Sequence, residues 1–141
     1  MATLTLRVIT PERIVLDTTA REVKFPGVDG SMGVLPRHAP MVAALDAGDL
    51  SWTDADGRMH HQFVAGGFAE VRANTVRLVT ESSEPATAID AERAARAAER
   101  ARERLKVRRV EEGTEEFDVL RAEAALRRAL MRRFVANKVQ Q

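Results

Sequence analysis

TVRLVTESSEPATAIDAERA, residues 75–94, decides the fold. In its first six residues Val76 and Leu78 alternate with Thr75, Arg77 and Val79, the period of a strand that buries one face. Glu81 to Ile89 is a polar linker interrupted by Pro85. Beyond it the period changes. Ala94, Ala98, Ala101 and Leu105 recur at intervals of four and three, which places them on one side of a helix. One change of period along a chain separates strands from helices instead of interleaving them.

Upstream, the period stays at two from Leu4 to Val79. The expected strands are Thr3 to Thr10, Arg13 to Leu16, Ala20 to Phe25, Ser31 to Leu35, Met41 to Leu45, Gly48 to Thr53, Met59 to Ala65, Phe68 to Ala73 and Thr75 to Thr80. Asp54-Ala55-Asp56-Gly57 and Ala73-Asn74 read as hairpin turns. Many short strands with frequent turns predict a β-sandwich or barrel over residues 1–84. Gly27 to Met41 concentrates glycine and proline, residues that specify backbone shape, and presents Asp29, Ser31 and His38 between two turns.

Downstream, residues 85–141 predict a C-terminal antiparallel α-helical hairpin. Asp90 suits an N-cap, Glu92 the positive end of the first helix, and Lys106, Arg108 and Arg109 its negative end. The first helix is expected to stop near Val110 to Gly113, and Thr114 with Glu115 and Glu116 to start the second. The second stripe reads Val119, Ala122, Leu126, Leu130 and Phe134. Two helices alone bury little, so the hairpin needs a surface to dock on.

The 141 residues are 45% hydrophobic and 30% charged, a soluble globular composition. There is no cysteine, which removes disulfides and thiolate metal sites. No signal-peptide core or membrane-length apolar run is present, so the expectation is a cytoplasmic protein that meets a membrane only through a partner. The net charge of +1 conceals an uneven split. Residues 1–84 hold 8 basic and 11 acidic side chains, and residues 85–141 hold 14 and 10.

Catalytic constellations are poor. A phosphate loop and a nucleophile elbow are both missing. His60 and His61 are neighbours on a strand, so they face opposite sides and cannot share a metal; they read as surface or edge histidines. Trp52 reads as core. His38 is either an interface contact or a ring that bonds a turn carbonyl. The arginines are the sharpest feature. Asp90, Arg93 and Arg100 share one face of the first helix, and Arg128 with Arg132 one face of the second. Guanidinium forks suit phosphate oxygens, and a carboxylate suits an amine or a ribose hydroxyl. Two other readings stand beside this one. The arginines form a salt-bridged surface with Glu92, Glu99, Glu103 and Glu123, or a basic face of a free-standing sandwich module that contacts nucleic acid.

Three motifs in order resemble the epsilon-subunit family of bacterial F-type ATP synthases. Gly30 to Pro40 resembles its Gly-x-x-Gly-x-Leu/Tyr-Pro-x-His-x-Pro signature, and Gly66-Gly67-Phe68-Ala69-Glu70-Val71 its Gly-Gly-Phe/Ile-x-Glu-Val. Ile89-Asp90-Ala91-Glu92-Arg93-Ala94 resembles the Ile/Leu-Asp-x-x-Arg-Ala motif associated with ATP binding. The resemblance implies a non-catalytic rotor subunit, peripheral on the cytoplasmic face of the bacterial cell membrane. Its sandwich would dock on the gamma subunit and the c-subunit ring through Asp29, Ser31, Met32 and His38. Its hairpin would extend toward the catalytic alpha and beta subunits and inhibit ATP hydrolysis. The resemblance also implies a regulatory ATP site at Glu84, Asp90, Arg93, Arg100, Arg128 and Arg132, no required cofactor or metal, and no nucleic acid. Many relatives carry glutamate where this chain has Ser31.

Overall fold

The computed structural model describes residues 2–110 and 116–139, with side chains for 2–106 and 119–139. The expected interhelical turn at Gly113, the start at Thr114 and Glu115, and the side chains of Arg108, Arg109 and Glu116 lie outside the described residues.

Eight strands come first. They are β1 (Leu4–Ile9), β2 (Ile14–Ala20), β3 (Glu22–Gly27), β4 (Gly30–Val34), β5 (Met41–Thr53), β6 (Met59–Arg72), β7 (Thr75–Thr80) and β8 (Ser83–Pro85). Their order is β2-β1-β7-β6-β5-β3-β4, with β8 on β6. The β1–β7 pair is parallel and the other pairs are antiparallel. The sheet folds over a single core. Leu6 and Val8 of β1 and Leu78 of β7 meet Phe25 of β3, Leu50 and Trp52 of β5 and Val64 of β6. Trp52 is therefore core, as its setting in a strand predicts.

β2 runs on to Ala20, past the expected end at Leu16, and two other strands each join two expected pieces. Met41–Thr53 and Met59–Arg72 each run unbroken where the sequence pattern suggests two pieces. Gly48 sits in the ladder opposite Val64, and the Gly66-Gly67 pair continues β6 without ending it. The ladder passes from Leu45↔Gly67 to Ala47↔Ala65 around Asp46 and Gly66. Gly66 and Gly67 have φ of 109° and 127°, open to glycine and strained for other residues. The linker is also more ordered than its polarity suggests, since it contains β8 and a 3-10 turn at Ala86–Ala88.

Two helices follow, α1 (Ala91–Val110) and α2 (Glu116–Asn137). The start of α1 meets the later part of α2, since Ala94 and Ala97 line one cleft with Ala129 and Arg132, so the pair is antiparallel. The stripe on α1 is buried as its spacing predicts: Ala94, Ala98, Ala101 and Leu105. The stripe on α2 differs. Ala122, Ala129, Val135 and Ala136 are buried, Leu126 and Leu130 are half-buried, and Phe134 is 49% exposed. The reason is that α2 has two neighbours, α1 on one side and β5, β6 and the 3-10 turn on another. Alanines let α2 approach α1 closely. Val135 and Met131 instead pack on Phe63 and Ala86.

Candidate functional site

The linker and both helix faces converge on one cleft. Asp90 caps α1: its Oδ1 accepts the Arg93 N–H at 3.0 Å, and its carbonyl accepts the Ala94 N–H at 3.0 Å. The cap fixes where α1 begins. The 3-10 turn buries Ala86 and puts Glu84 and Ile89 on the same side. Opposite them α2 offers Ala129, small enough to leave room, and Arg132. The result is a cavity of about 320 Å³ walled by Glu84, Ile89, Asp90, Arg93, Ala129 and Arg132.

Its two guanidinium groups are in different states. Arg132 is engaged, with Nε donating to Glu84 Oε1 at 2.9 Å and Nη2 to Ser82 Oγ at 3.3 Å. Its guanidinium also lies 4.6 Å from the centre of the Phe63 ring, a cation–π contact with the platform below. Among the described residues, Arg93 has no carboxylate within ion-pair distance. The wall thus carries one paired and one unpaired guanidinium, two carboxylates and an aliphatic side formed by Ile89 and alanines. Such a surface can hold an anion beside a flat, amine-bearing apolar group.

Of the six residues expected at this site, Glu84, Asp90, Arg93 and Arg132 are brought together. Arg100, seven residues along α1, and Arg128 on α2 lie outside the cleft wall. Elsewhere on α1 the charges pair along the helix, Arg96 with Glu92, Arg102 with Glu99 and Lys106 with Glu103, which gives little to a nucleic-acid face. Among the described residues, no three His, Cys, Asp or Glu side chains cluster closely enough to hold a metal ion.

The residues of the Gly27–Met41 stretch gather at the other end of the ribbon. Val28 and Asp29 form a two-residue hairpin tip between the paired Gly27 and Gly30. A Cβ on Gly27 would lie 2.7 Å from the Gly30 carbonyl oxygen. Asp29 and Met32 line a shallow hollow with Met41 and Ala43, and Ser31 is exposed beside it. The His38 ring Nδ1 donates to the Ala39 carbonyl at 2.6 Å, the turn-holding bond. His60 and His61 face opposite sides. His60 pairs with Asp54 and stacks on Trp52, whereas His61 pairs with Asp49 at 2.9 Å and is only 15% exposed, so it is not a surface residue.

One surface is not apparent from sequence motifs. Val28, Val42 and Phe68 are exposed large apolar side chains, Val42 by 70%. Ala44 joins them: it pairs with Phe68 across the ladder and accepts the Val28 N–H at 3.1 Å. The patch is contiguous with the hollow at Asp29 and Met32. Its signal in the sequence is that Met41 to Leu45 is apolar on both strand faces, where a half-solvated strand would alternate.

Residues 3–86 match the family described as ATP synthase, Delta/Epsilon chain, beta-sandwich domain, and residues 88–136 its long alpha-helix domain. Among curated proteins the chain is 45% identical over 129 residues to the ATP synthase epsilon chain of Nitratidesulfovibrio vulgaris strain DP4, covering 92% of each. It is 41% identical over 139 residues to that of Moorella thermoacetica, covering 99% of this chain and 100% of the other. Among solved structures it is similar to a chain of the Euglena gracilis mitochondrial ATP synthase OSCP/F1/c-ring assembly. The TM-score is 0.76 at 25% identity, with 99% of this chain and 82% of that chain covered. A chain of the Tetrahymena thermophila mitochondrial ATP synthase central stalk and c-ring shares the fold at a TM-score of 0.57 and 14% identity, covering 97% and 96%.

Proposed function

The chain belongs to the ATP synthase delta/epsilon chain family, and on that premise we propose that it docks at the foot of the central stalk and gates ATP hydrolysis with its hairpin. As an epsilon chain it is a non-catalytic subunit of the ATP synthase. The sandwich of residues 1–84 is the docking domain. Its Asp29, Ser31, Met32 and His38 meet the gamma subunit and the c-subunit ring, and the Val28–Val42–Phe68 patch supplies the apolar area that a stable interface needs. The hairpin of residues 85–141 is the regulatory domain. Released from β5 and β6, it reaches the alpha and beta subunits and inhibits hydrolysis. None of the described helices is long and apolar enough to cross a membrane. Attachment on the cytoplasmic face of the bacterial cell membrane then runs through the rotor.

Regulatory ATP binds in the cleft between α1, α2 and the linker. The observation that carries this is Arg93, a guanidinium with no carboxylate partner among the described residues, set beside Asp90 and facing Arg132. Phosphate oxygens take Arg93, Asp90 accepts from the adenine amine or a ribose hydroxyl, and binding biases the docked hairpin over the released one. Among the described residues no cluster of three His, Cys, Asp or Glu side chains could hold a metal ion beside the arginines, and the reading is binding without hydrolysis. Titration calorimetry of the full chain at millimolar ATP tests it. Wild-type protein gives heat, Arg93→Ala loses affinity by roughly tenfold or more for a charge-assisted bond, and Arg128→Ala matches wild type because it lies outside the wall. No heat from wild type removes the ligand.

A further inference from the structure

The β6–β7 turn holds the docking corner in place. Ala73 and Asn74 form the two-residue turn with φ of 49° and 60°, left-handed values that asparagine tolerates better than most residues. Glycine would satisfy the same backbone at lower cost. What asparagine adds is an acceptor and a donor on one rigid amide. Its Oδ1 accepts the Arg37 N–H at 3.0 Å, and its Nδ2 donates to the Thr3 carbonyl at 2.9 Å. Its own carbonyl accepts the Thr5 N–H at 3.0 Å. Three segments that are remote in sequence therefore meet on one side chain and its backbone.

Arg37 is the residue that gains most. It is a non-glycine at φ 66°, a conformation that costs energy unless its surroundings enforce it. The Asn74 amide supplies a bond specific to that conformation. His38 follows directly, tied to the Ala39 carbonyl and flanked by Pro36 and Pro40. The direction of the imidazole is thus set from a different hairpin.

We propose that Asn74 is a positioning residue for rotor docking: it holds the Arg37–His38 corner in the geometry that the partner surface reads. This rests on the docking role given to His38 above. The test uses the full chain with two variants. Asn74→Gly keeps the left-handed turn and removes both side-chain bonds, whereas Asn74→Asp keeps the acceptor for Arg37 and removes only the donor to Thr3.

Amide hydrogen exchange in the free chain and affinity for a purified gamma–c-ring rotor are read together. In Asn74→Gly, exchange at Arg37 quickens about tenfold and rotor affinity falls roughly fivefold to tenfold, the worth of one lost hydrogen bond. Core amides such as those of Val23 and Leu50 keep their protection. Asn74→Asp restores the affinity to near wild type. In a His38→Ala background, Asn74→Gly costs little further, because both act through one corner. Unchanged exchange at Arg37 overturns the clamp. Faster exchange with unchanged rotor affinity, while His38→Ala alone weakens docking, overturns the positioning role and leaves the docking role standing. If His38→Ala is itself silent, the docking role falls and this inference with it.

Discussion

The sandwich fully buries Leu6, Val8, Phe25, Leu50, Val64 and Leu78, whereas the buried faces of α1 and α2 are mostly alanine, Ala94, Ala98, Ala101, Ala122 and Ala129, with Leu105 beside them. A buried leucine, valine or phenylalanine side chain contributes about 1.5–3 kcal/mol, and an alanine methyl nearer 0.8 kcal/mol. The strands are further tied by backbone ladders, while among the described residues the ties between the helices and the sandwich are side-chain contacts. Among the described residues these ties include the Phe63–Ala86–Val135 cluster, Arg132 on Glu84, Ser82 and Phe63, and Arg127 on Asp46. The Arg127–Asp46 pair is largely exposed, and such pairs contribute at most about 1 kcal/mol. One region is committed to its conformation and the other is fastened lightly, which suits a rigid base that carries a switch.

The largest expected effect is on the committed region. A Cβ on Gly67 would lie 2.0 Å from the Val79 carbonyl oxygen, at a φ of 127°. Gly67→Ala must part β6 from β7, and we expect a loss of about 3 kcal/mol or more in urea unfolding. A loss below about 1 kcal/mol would mean that the sandwich yields more readily than its core implies.

Next comes the fastening. Arg132→Ala removes an ion pair, a hydroxyl bond and a cation–π contact together. We expect undocking favoured by about 1–3 kcal/mol, seen by NMR as loss of the side-chain contact between Phe63 and Val135 while the amides of Val23 and Leu50 stay protected. Loss of the contact and of that protection together would erase the distinction.

The smallest effect concerns acid. The His60 ring donates to Asp54 at 2.8 Å and is the main reason that the Asp54 carboxyl sits below the usual carboxylate range. The backbone N–H groups of Arg58 and Asp56 add to this, and desolvation partly opposes it. A depressed carboxyl stabilises the fold above its unfolded pKa, and the contribution is lost as pH falls through the folded value. Replacing His60 with alanine should return the Asp54 titration, followed by carboxyl NMR, toward the ordinary range and leave hairpin exchange unchanged. A hairpin that responds would tie the two regions more closely than their contacts do.

The sequence made the committed region legible and the fastening partly so. Alternation located the strands because each buries one face, and the Asp90 cap fixed the start of α1. Gly48, Gly66 and Gly67 misled because a glycine can sit inside a strand as well as end it, and the choice depends on pairing with a distant partner. The α2 stripe misled for a related reason. Periodicity finds the most apolar face, but Phe134 lost its place to Ala129 and Val135 once α2 had to fit between two neighbours. The cleft was readable at Asp90 and Arg93, which share a helix face. That Arg132 would join them with Glu84, and Arg100 and Arg128 would not, depends on how α2 lies against the linker, a tertiary fact.

The unbroken β5–β6 ribbon bears on mechanics. Thirteen residues of strand span roughly 40 Å if extended, with Val42 and Phe68 near one end and the Phe63 platform beneath α2 further along, opposite Asp49. In the proposed central-stalk role, torque entering at the docking end travels through covalent backbone and ladder bonds. The hairpin hangs outside that load path. The final strand, β8, ends at Pro85, before α1 begins, so the helices can leave without unzipping a single rung of the described sheet. In the proposed role, the ladder of β5 and β6 therefore stays whole whether the hairpin is docked or released.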